Sequence, residues 1–129
     1  MQLDKGLILY IEDHEDTREL ITLVLGQFNY SVIACSTIEA GIKLAQSKTF
    51  DLYLLDSWLP DGSGLDLCKK IREFDQGTPI LFYSAAAYEA DRESALQSGA
   101  QAYLVKPSRT SELCALVTSL IDKFPKASD

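Results

Sequence analysis

A chain of 129 residues is the size of one compact domain, which buries about two-thirds of its unfolded surface and needs no metal or disulfide staple. Hydrophobic residues at 47% and charged residues at 24% exclude a disordered chain. A formal charge of −7 argues against direct binding to a phosphate backbone, and no long apolar run suggests a signal peptide or membrane span.

Five short apolar runs alternate with segments of helical period. The first, Leu7-Ile8-Leu9-Tyr10-Ile11, ends in Glu12-Asp13. A helical stripe of Leu20, Leu23, Val24 and Phe28 follows, and Asn29 stands where a helix C-cap is expected. The second run is Ser31-Val32-Ile33-Ala34, and Ser36-Thr37-Ile38-Glu39 after it reads as a capping box opening a second helix. The third, Leu52-Tyr53-Leu54-Leu55, ends in Asp56 before a Leu59-Pro60-Asp61-Gly62 turn. Gly62-Ser63-Gly64 lacks the third glycine and first-strand context of a dinucleotide loop, so it reads as a turn and helix start. The third helix carries Leu65, Cys68, Ile71 and Phe74. Ile80-Leu81-Phe82-Tyr83 is the fourth run and ends in Ser84; a shorter, more polar helix around Glu89 to Ser98 follows, closed at Gly99. The fifth, Ala102-Tyr103-Leu104-Val105, ends in Lys106-Pro107. Leu113, Leu116, Val117, Leu120 and Phe124 mark the last helix. The chain ends soon afterwards, at Pro125-Lys126-Ala127-Ser128-Asp129, so a single domain over 1–129 without an output domain is expected.

The runs are apolar throughout rather than alternating, which predicts strands covered on both faces, as in a parallel sheet. A βα unit repeated five times is an open α/β fold. Cys35, Cys68 and Cys114 are an odd set without CxxC pairing, each in an apolar run. They read as small buried hydrophobes in a reducing compartment, which makes the cytoplasm the expected location.

Ligands of open α/β sheets bind beyond the carboxyl ends of the strands. Those ends carry Glu12-Asp13, Asp56, Ser84 and Lys106. Singly, each admits a plain reading: an acidic loop, a turn cap, a solvated hydroxyl, a surface lysine. At the ends of separate strands they converge on one edge. Two carboxylates about 4 Å apart repel by roughly 4 kcal/mol at an effective dielectric of about 20. Lys106 neutralises one charge, and a hard divalent cation such as Mg²⁺ would neutralise the rest.

Ile11-Glu12-Asp13, Asp51 through Asp56 with Leu59-Pro60-Asp61-Gly62, Ser84-Ala85 and Lys106-Pro107 together resemble the receiver domain of two-component response regulators, over nearly the whole chain. The resemblance implies a doubly wound (βα)5 flavodoxin-like three-layer sandwich, with a parallel five-stranded sheet in the order 2-1-3-4-5. It implies that Asp56 accepts a phosphoryl group from a sensor histidine kinase or a histidine phosphotransfer protein. Mg²⁺ would be held by Asp13, Asp56 and the backbone carbonyl of Trp58, with Glu12 acting through water. Ser84 and Lys106 would bind the phosphoryl group, Ser84 and Tyr103 would form the switch, and Lys106-Pro107 would be cis. The output would leave through the surface of the fourth helix, fifth strand and fifth helix, toward a downstream protein or a second copy. Such a domain is no enzyme beyond catalysing its own phosphorylation and dephosphorylation. Glu12 stands where aspartate is more frequent, and Ser84 where threonine is; both keep the chemistry.

The rival readings fare worse. A haloacid-dehalogenase-like phosphatase needs an aspartate where Trp58 stands. A flavodoxin-like electron carrier needs a phosphate-cradling loop where Glu12-Asp13-His14-Glu15 stands. A receiver-like module that binds partners without phosphorylation is the alternative. His14 reads as a solvated loop residue.

Overall fold

Five strands, Gly6–Ile11 (β1), Tyr30–Cys35 (β2), Leu52–Leu55 (β3), Ile80–Ser84 (β4) and Ala102–Val105 (β5), lie where the apolar runs place them. The structure, a computed structural model, describes residues 4–125; residues 1–3 and the tail from Lys126, where the sequence reading closes the domain, lie outside the described residues. The strands pair in parallel in the order β2-β1-β3-β4-β5. Parallel neighbours require crossovers, and these are the helices Glu15–Gln27 (α1), Ile38–Ser47 (α2), Gly64–Arg72 (α3) and Glu89–Ser98 (α4); Thr110–Lys123 (α5) closes the chain. No helix among the described residues is long and apolar enough to cross a membrane.

Side chains alternate across a strand, so a run that is apolar at every position supplies two cores. Ile8, Tyr10, Leu52, Leu54, Leu81 and Tyr83 pack with residues of α1 and α5. Leu9, Ile11, Tyr53, Leu55, Ile80 and Phe82 pack with residues of α2, α3 and α4. Three layers result. Coverage on both faces holds for β1, β3 and β4; the edge strands leave Ser31, Ala34 and Val105 exposed.

Three local expectations are corrected. On α1 the buried residues are Ile21, Val24 and Leu25, whereas Leu20 and Leu23 are 56% and 60% exposed and Phe28 is exposed too. Two apolar stripes overlap in that helix, and only packing selects between them. On α3 the buried set is Gly64, Leu67, Cys68 and Ile71, with Phe74 exposed past the helix end. The N-cap of α2 is Thr37, whose side chain accepts from Ala40 N–H, rather than Ser36. Glu39 then pairs with Lys43 at 3.2 Å instead of folding back as the second half of a box.

Helix ends follow the expected chemistry elsewhere. Asn29 adopts φ 71° just past α1, and Gly99 adopts φ 118° past α4. The polar α4 buries only Ala95 and Ser98, both in its second half. Arg72 holds that end, donating from Nε to Gly99 O at 3.0 Å and from Nη2 to Gln101 Oε1 at 2.9 Å.

The α1 correction is testable by urea denaturation. Leu25→Ala should cost about 2–5 kcal/mol, as expected for a buried leucine. Leu23→Gln should stay within about 0.5 kcal/mol. Equal losses would return Leu23 to the core.

Candidate functional site

Register builds the site. Ile11 pairs with Leu55, and Leu55 with Phe82, so Glu12 and Asp56 leave their strands in one row. The sheet grows toward β2 on one side of β1 and toward β3 on the other, which opens a crevice beyond the β1 and β3 ends. One carboxylate oxygen each from Glu12, Asp13 and Asp56 lies within 4.8 Å of the other two. Glu12 is 1% exposed, Asp56 half-buried and Asp13 exposed.

Lys106, just past β5, reaches back to this row. Its Nζ forms an ion pair with Glu12 Oε1 and lies 3.6 Å from Asp56 Oδ2. The ammonium sits 5.5 Å from the centre of the Tyr83 ring. The Lys106–Pro107 bond is cis. Glu12 also accepts from the Tyr10 hydroxyl at 3.3 Å and from His14 N–H at 3.2 Å. Arg18 donates to the backbone carbonyls of Glu12 at 2.9 Å and Asp13 at 3.4 Å, which holds the acid pair in place. Asp56 Oδ1 accepts from Ser57 N–H at 2.7 Å.

One ammonium cannot satisfy two buried carboxylates equally. Burial alone would raise the Glu12 carboxyl, but the Lys106 hydrogen bond and charge outweigh it and hold Glu12 below its ordinary range. Asp56 bears the excess. Burial first, and then the nearby Glu12 charge, push it up to about 6 from the ordinary 3.8, despite Lys106. Burial and the same Glu12 charge push the Tyr10 phenol up as well. Three carboxylates against one ammonium leave excess negative charge among hard oxygen donors. That donor set fits Mg²⁺.

The other residues singled out in the sequence are placed differently. Ser84 is buried and makes no bond to Asp56; its Oγ accepts from Ala86 N–H at 3.1 Å. Tyr103 is half-buried, stacked on Phe82 with ring centres 5.8 Å apart, and its hydroxyl donates to Ala86 O at 2.7 Å. Ser84 and Tyr103 thus hold opposite polar groups of one loop residue. The Trp58 side chain is 70% exposed. His14 is exposed, as expected, but its Nδ1 accepts from Thr17 N–H at 3.2 Å and so caps α1.

Besides Arg18, two contributors are not evident from the strand ends. Tyr10 lies two residues before Glu12, on the same side of the strand, and period two could have flagged it. Gly64 was read only as a helix start. A Cβ there would lie 2.1 Å from Asp56 O, and Gly64 N–H donates to Ser57 O at 2.8 Å. Only glycine permits this approach.

Residues 8–118 match the family model described as the response regulator receiver domain. The chain is 36% identical over 118 residues to the response regulator ArlR of Staphylococcus epidermidis, covering 92% of this chain and 53% of that protein. ArlR of Staphylococcus saprophyticus gives 36% identity over 119 residues, with 92% and 54% covered. The chain therefore spans about half the length of the curated relatives it matches. A two-component response regulator from Clostridium difficile superposes with a TM-score of 0.89 at 29% identity, covering 95% of this chain and 100% of that one. The receiver domain of the Pseudomonas aeruginosa sensor histidine kinase PA1611 gives a TM-score of 0.85 at 28% identity over 91% and 98%; its crystal structure has a magnesium ion coordinated in the active-site cleft.

The weakened acidity of the Asp56 carboxyl has a measurable consequence in metal-free protein. The stability associated with its neutral carboxyl is complete below pH 3.8 and is lost as pH rises to about 6. Asp56→Asn should therefore stabilise the fold by up to about 3 kcal/mol at pH 8. The gain should shrink steadily between pH 6 and pH 4. Urea denaturation across that range is the check, and a pH-independent difference would contradict the electrostatic origin.

Proposed function

The chain belongs to the response-regulator receiver domain family, and on that premise we propose that it takes a phosphoryl group on Asp56 and passes the signal through its fourth helix. Receivers of two-component systems interact with histidine kinases or histidine phosphotransfer proteins, so the donor is a phosphohistidine. The observation that carries the reading is the meeting of Glu12, Asp13, Asp56 and Lys106 at one sheet edge.

Asp56 is the nucleophile. In the metal-free protein its carboxyl, at about 6, is roughly nine-tenths ionised at pH 7, and the anion is more basic than an ordinary aspartate. An Asp56 oxygen attacks phosphorus as the N–P bond of a phosphohistidine protonated on its other ring nitrogen breaks; the electron pair stays on the ring, which leaves an acyl phosphate on the chain and a neutral imidazole on the donor. Asp13, Asp56 and the Trp58 backbone carbonyl would hold Mg²⁺, with Glu12 acting through water, and the bound ion would supply charge neutralisation at the transferred group. Lys106 turns from Glu12 toward the phosphoryl oxygens, and Ser84 donates its hydroxyl to another. Water later hydrolyses the acyl phosphate and resets the domain.

Signal output begins at Ala86. When the Ser84 hydroxyl turns to the phosphoryl group, Ala86 N–H loses its acceptor and the loop that holds Tyr103 shifts. The loop leads into α4, whose first half is almost wholly exposed while its second half is held by Ala95, Ser98 and Arg72. A pivot of α4 about its end near Gly99 follows, remodelling the α4-β5-α5 surface for a downstream protein or a second copy. A bias of about 5.5 kcal/mol would carry such a pair of states from 1:99 to 99:1. Unpaired buried thiols at Cys68 and Cys114 support a cytoplasmic setting.

Incubation with acetyl phosphate and Mg²⁺ should add one phosphoryl group that hydroxylamine removes, and Asp56→Asn should take none. Label that survives hydroxylamine, or appears in the variant, would remove Asp56 as acceptor. The switch is tested separately. Ser84→Ala should still be phosphorylated, yet with beryllofluoride its NMR spectrum should show little change at Tyr103 and α4. Shifts as complete as those of the wild type would exclude the route through Ala86.

A further inference from the structure

Asp61 carries no role in the chemistry above, yet both its carboxylate oxygens are engaged. Oδ1 accepts from Ile38 N–H at 2.8 Å and Oδ2 from Glu39 N–H at 3.1 Å. These are the first two amides of α2, groups that a helix cannot satisfy internally. Thr37 Oγ1 serves the third, Ala40 N–H, at 3.1 Å. Asp61 thus supplies much of the cap of a helix more than twenty residues away, from the loop that follows Asp56.

That loop is a short hairpin in which Trp58 and Leu59 pair antiparallel with Ser63 and Gly62. From Trp58 to Gly62 only Leu59 is buried, and it lies in the same core as Ile38. Gly62 closes on α2 as well: a Cβ there would lie 2.8 Å from Ile38 Cδ1. The hairpin's inner end is fixed by Gly64 against the Asp56 backbone. Its outer end is fixed by Leu59 and Gly62 packing on Ile38, and by the Asp61 carboxylate. The exposed Trp58 side chain contributes little to holding it.

We propose that Asp61 is a positioning residue, a latch that ties the acceptor hairpin to the N-terminus of α2 and so holds the Trp58 carbonyl in place for Mg²⁺. This rests on the acceptor-site reading above. Loss of the latch leaves the outer end of the hairpin held only by Leu59 and Gly62 packing on Ile38, and a displacement of about 1 Å at such a site is enough to cost function.

A purely structural cap and a latch give different results. Thr37→Ala removes a cap of the same helix without touching the hairpin, and it is the control. Mg²⁺ titration of the full chain, read by the fluorescence of its single tryptophan, should show about tenfold weaker binding in Asp61→Ala, equivalent to ~1.4 kcal/mol. Phosphorylation by acetyl phosphate should slow at low Mg²⁺ and recover at saturating Mg²⁺. Asp61→Asn, whose amide oxygen still accepts one bond, should recover part of the affinity. Thr37→Ala should lose stability to urea but keep wild-type Mg²⁺ affinity. Should Asp61→Ala not fold, Asp61→Asn against Thr37→Ala decides by the same criterion. Wild-type affinity in the Asp61 variants, or an equal loss in Thr37→Ala, makes Asp61 a helix cap and nothing more. A wild-type chain that neither binds Mg²⁺ nor takes a phosphoryl group removes the acceptor-site reading, and the latch with it.

Discussion

The structure turns on one shortage: three carboxylates and a single ammonium share the carboxyl edge of the sheet. A parallel sheet delivers every strand end to one edge, so acidic residues that are far apart in the chain are forced together there. Lys106 resolves the conflict unequally because Glu12 is the more deeply buried partner and the closer one. Asp56 keeps the excess charge, which makes it basic for an aspartate and receptive to a cation and an electrophile.

Around that centre the fold distributes stiffness unevenly. The hairpin after Asp56 is fixed by a glycine with no room for a methyl group, by Leu59 in the core and by Asp61 on α2. Such a loop holds oxygen donors still. On the opposite flank, α4 offers few apolar anchors, and its N-terminal half meets the core through the β4–α4 loop. Local stability follows buried contacts, so α4, which buries only Ala95 and Ser98, is the helix most easily displaced. Ala86 stands between the two regimes, bonded on one side to Ser84 and on the other to Tyr103. An event at Asp56 therefore meets a rigid wall in one direction and a yielding one in the other.

Much of this was legible before any coordinates. Apolar runs marked the strands to within a residue at either end; burial on both faces leaves no polar position in the runs of β1, β3 and β4, whereas the edge strands β2 and β5 are covered less completely. The residues that follow those runs named Glu12, Asp13, Asp56, Ser84 and Lys106, because the end of a strand is where side chains leave the core. The illegible parts depended on partners distant in sequence. Periodicity drew a stripe through Leu20 and Leu23 where packing chose Ile21 and Leu25, since both stripes are apolar and only the neighbouring strands discriminate. The motif at Ser36 and Glu39 suggested a self-contained cap, but Asp61 arrives from the acceptor hairpin and takes over the first two amides.

Fold class, the strand edge where the acidic residues and the lysine gather, and the residue types found there follow from hydrophobic period and from what each strand runs into. How the shared charge is divided is set instead by packing between separate elements. Which carboxylate Lys106 chooses, how far Asp56 is pushed, and whether Tyr103 begins outside or tied to Ala86 all depend on distances of a few ångströms between separate elements. Coulomb and hydrogen-bond energies vary steeply over that range, and no local pattern in the chain encodes it.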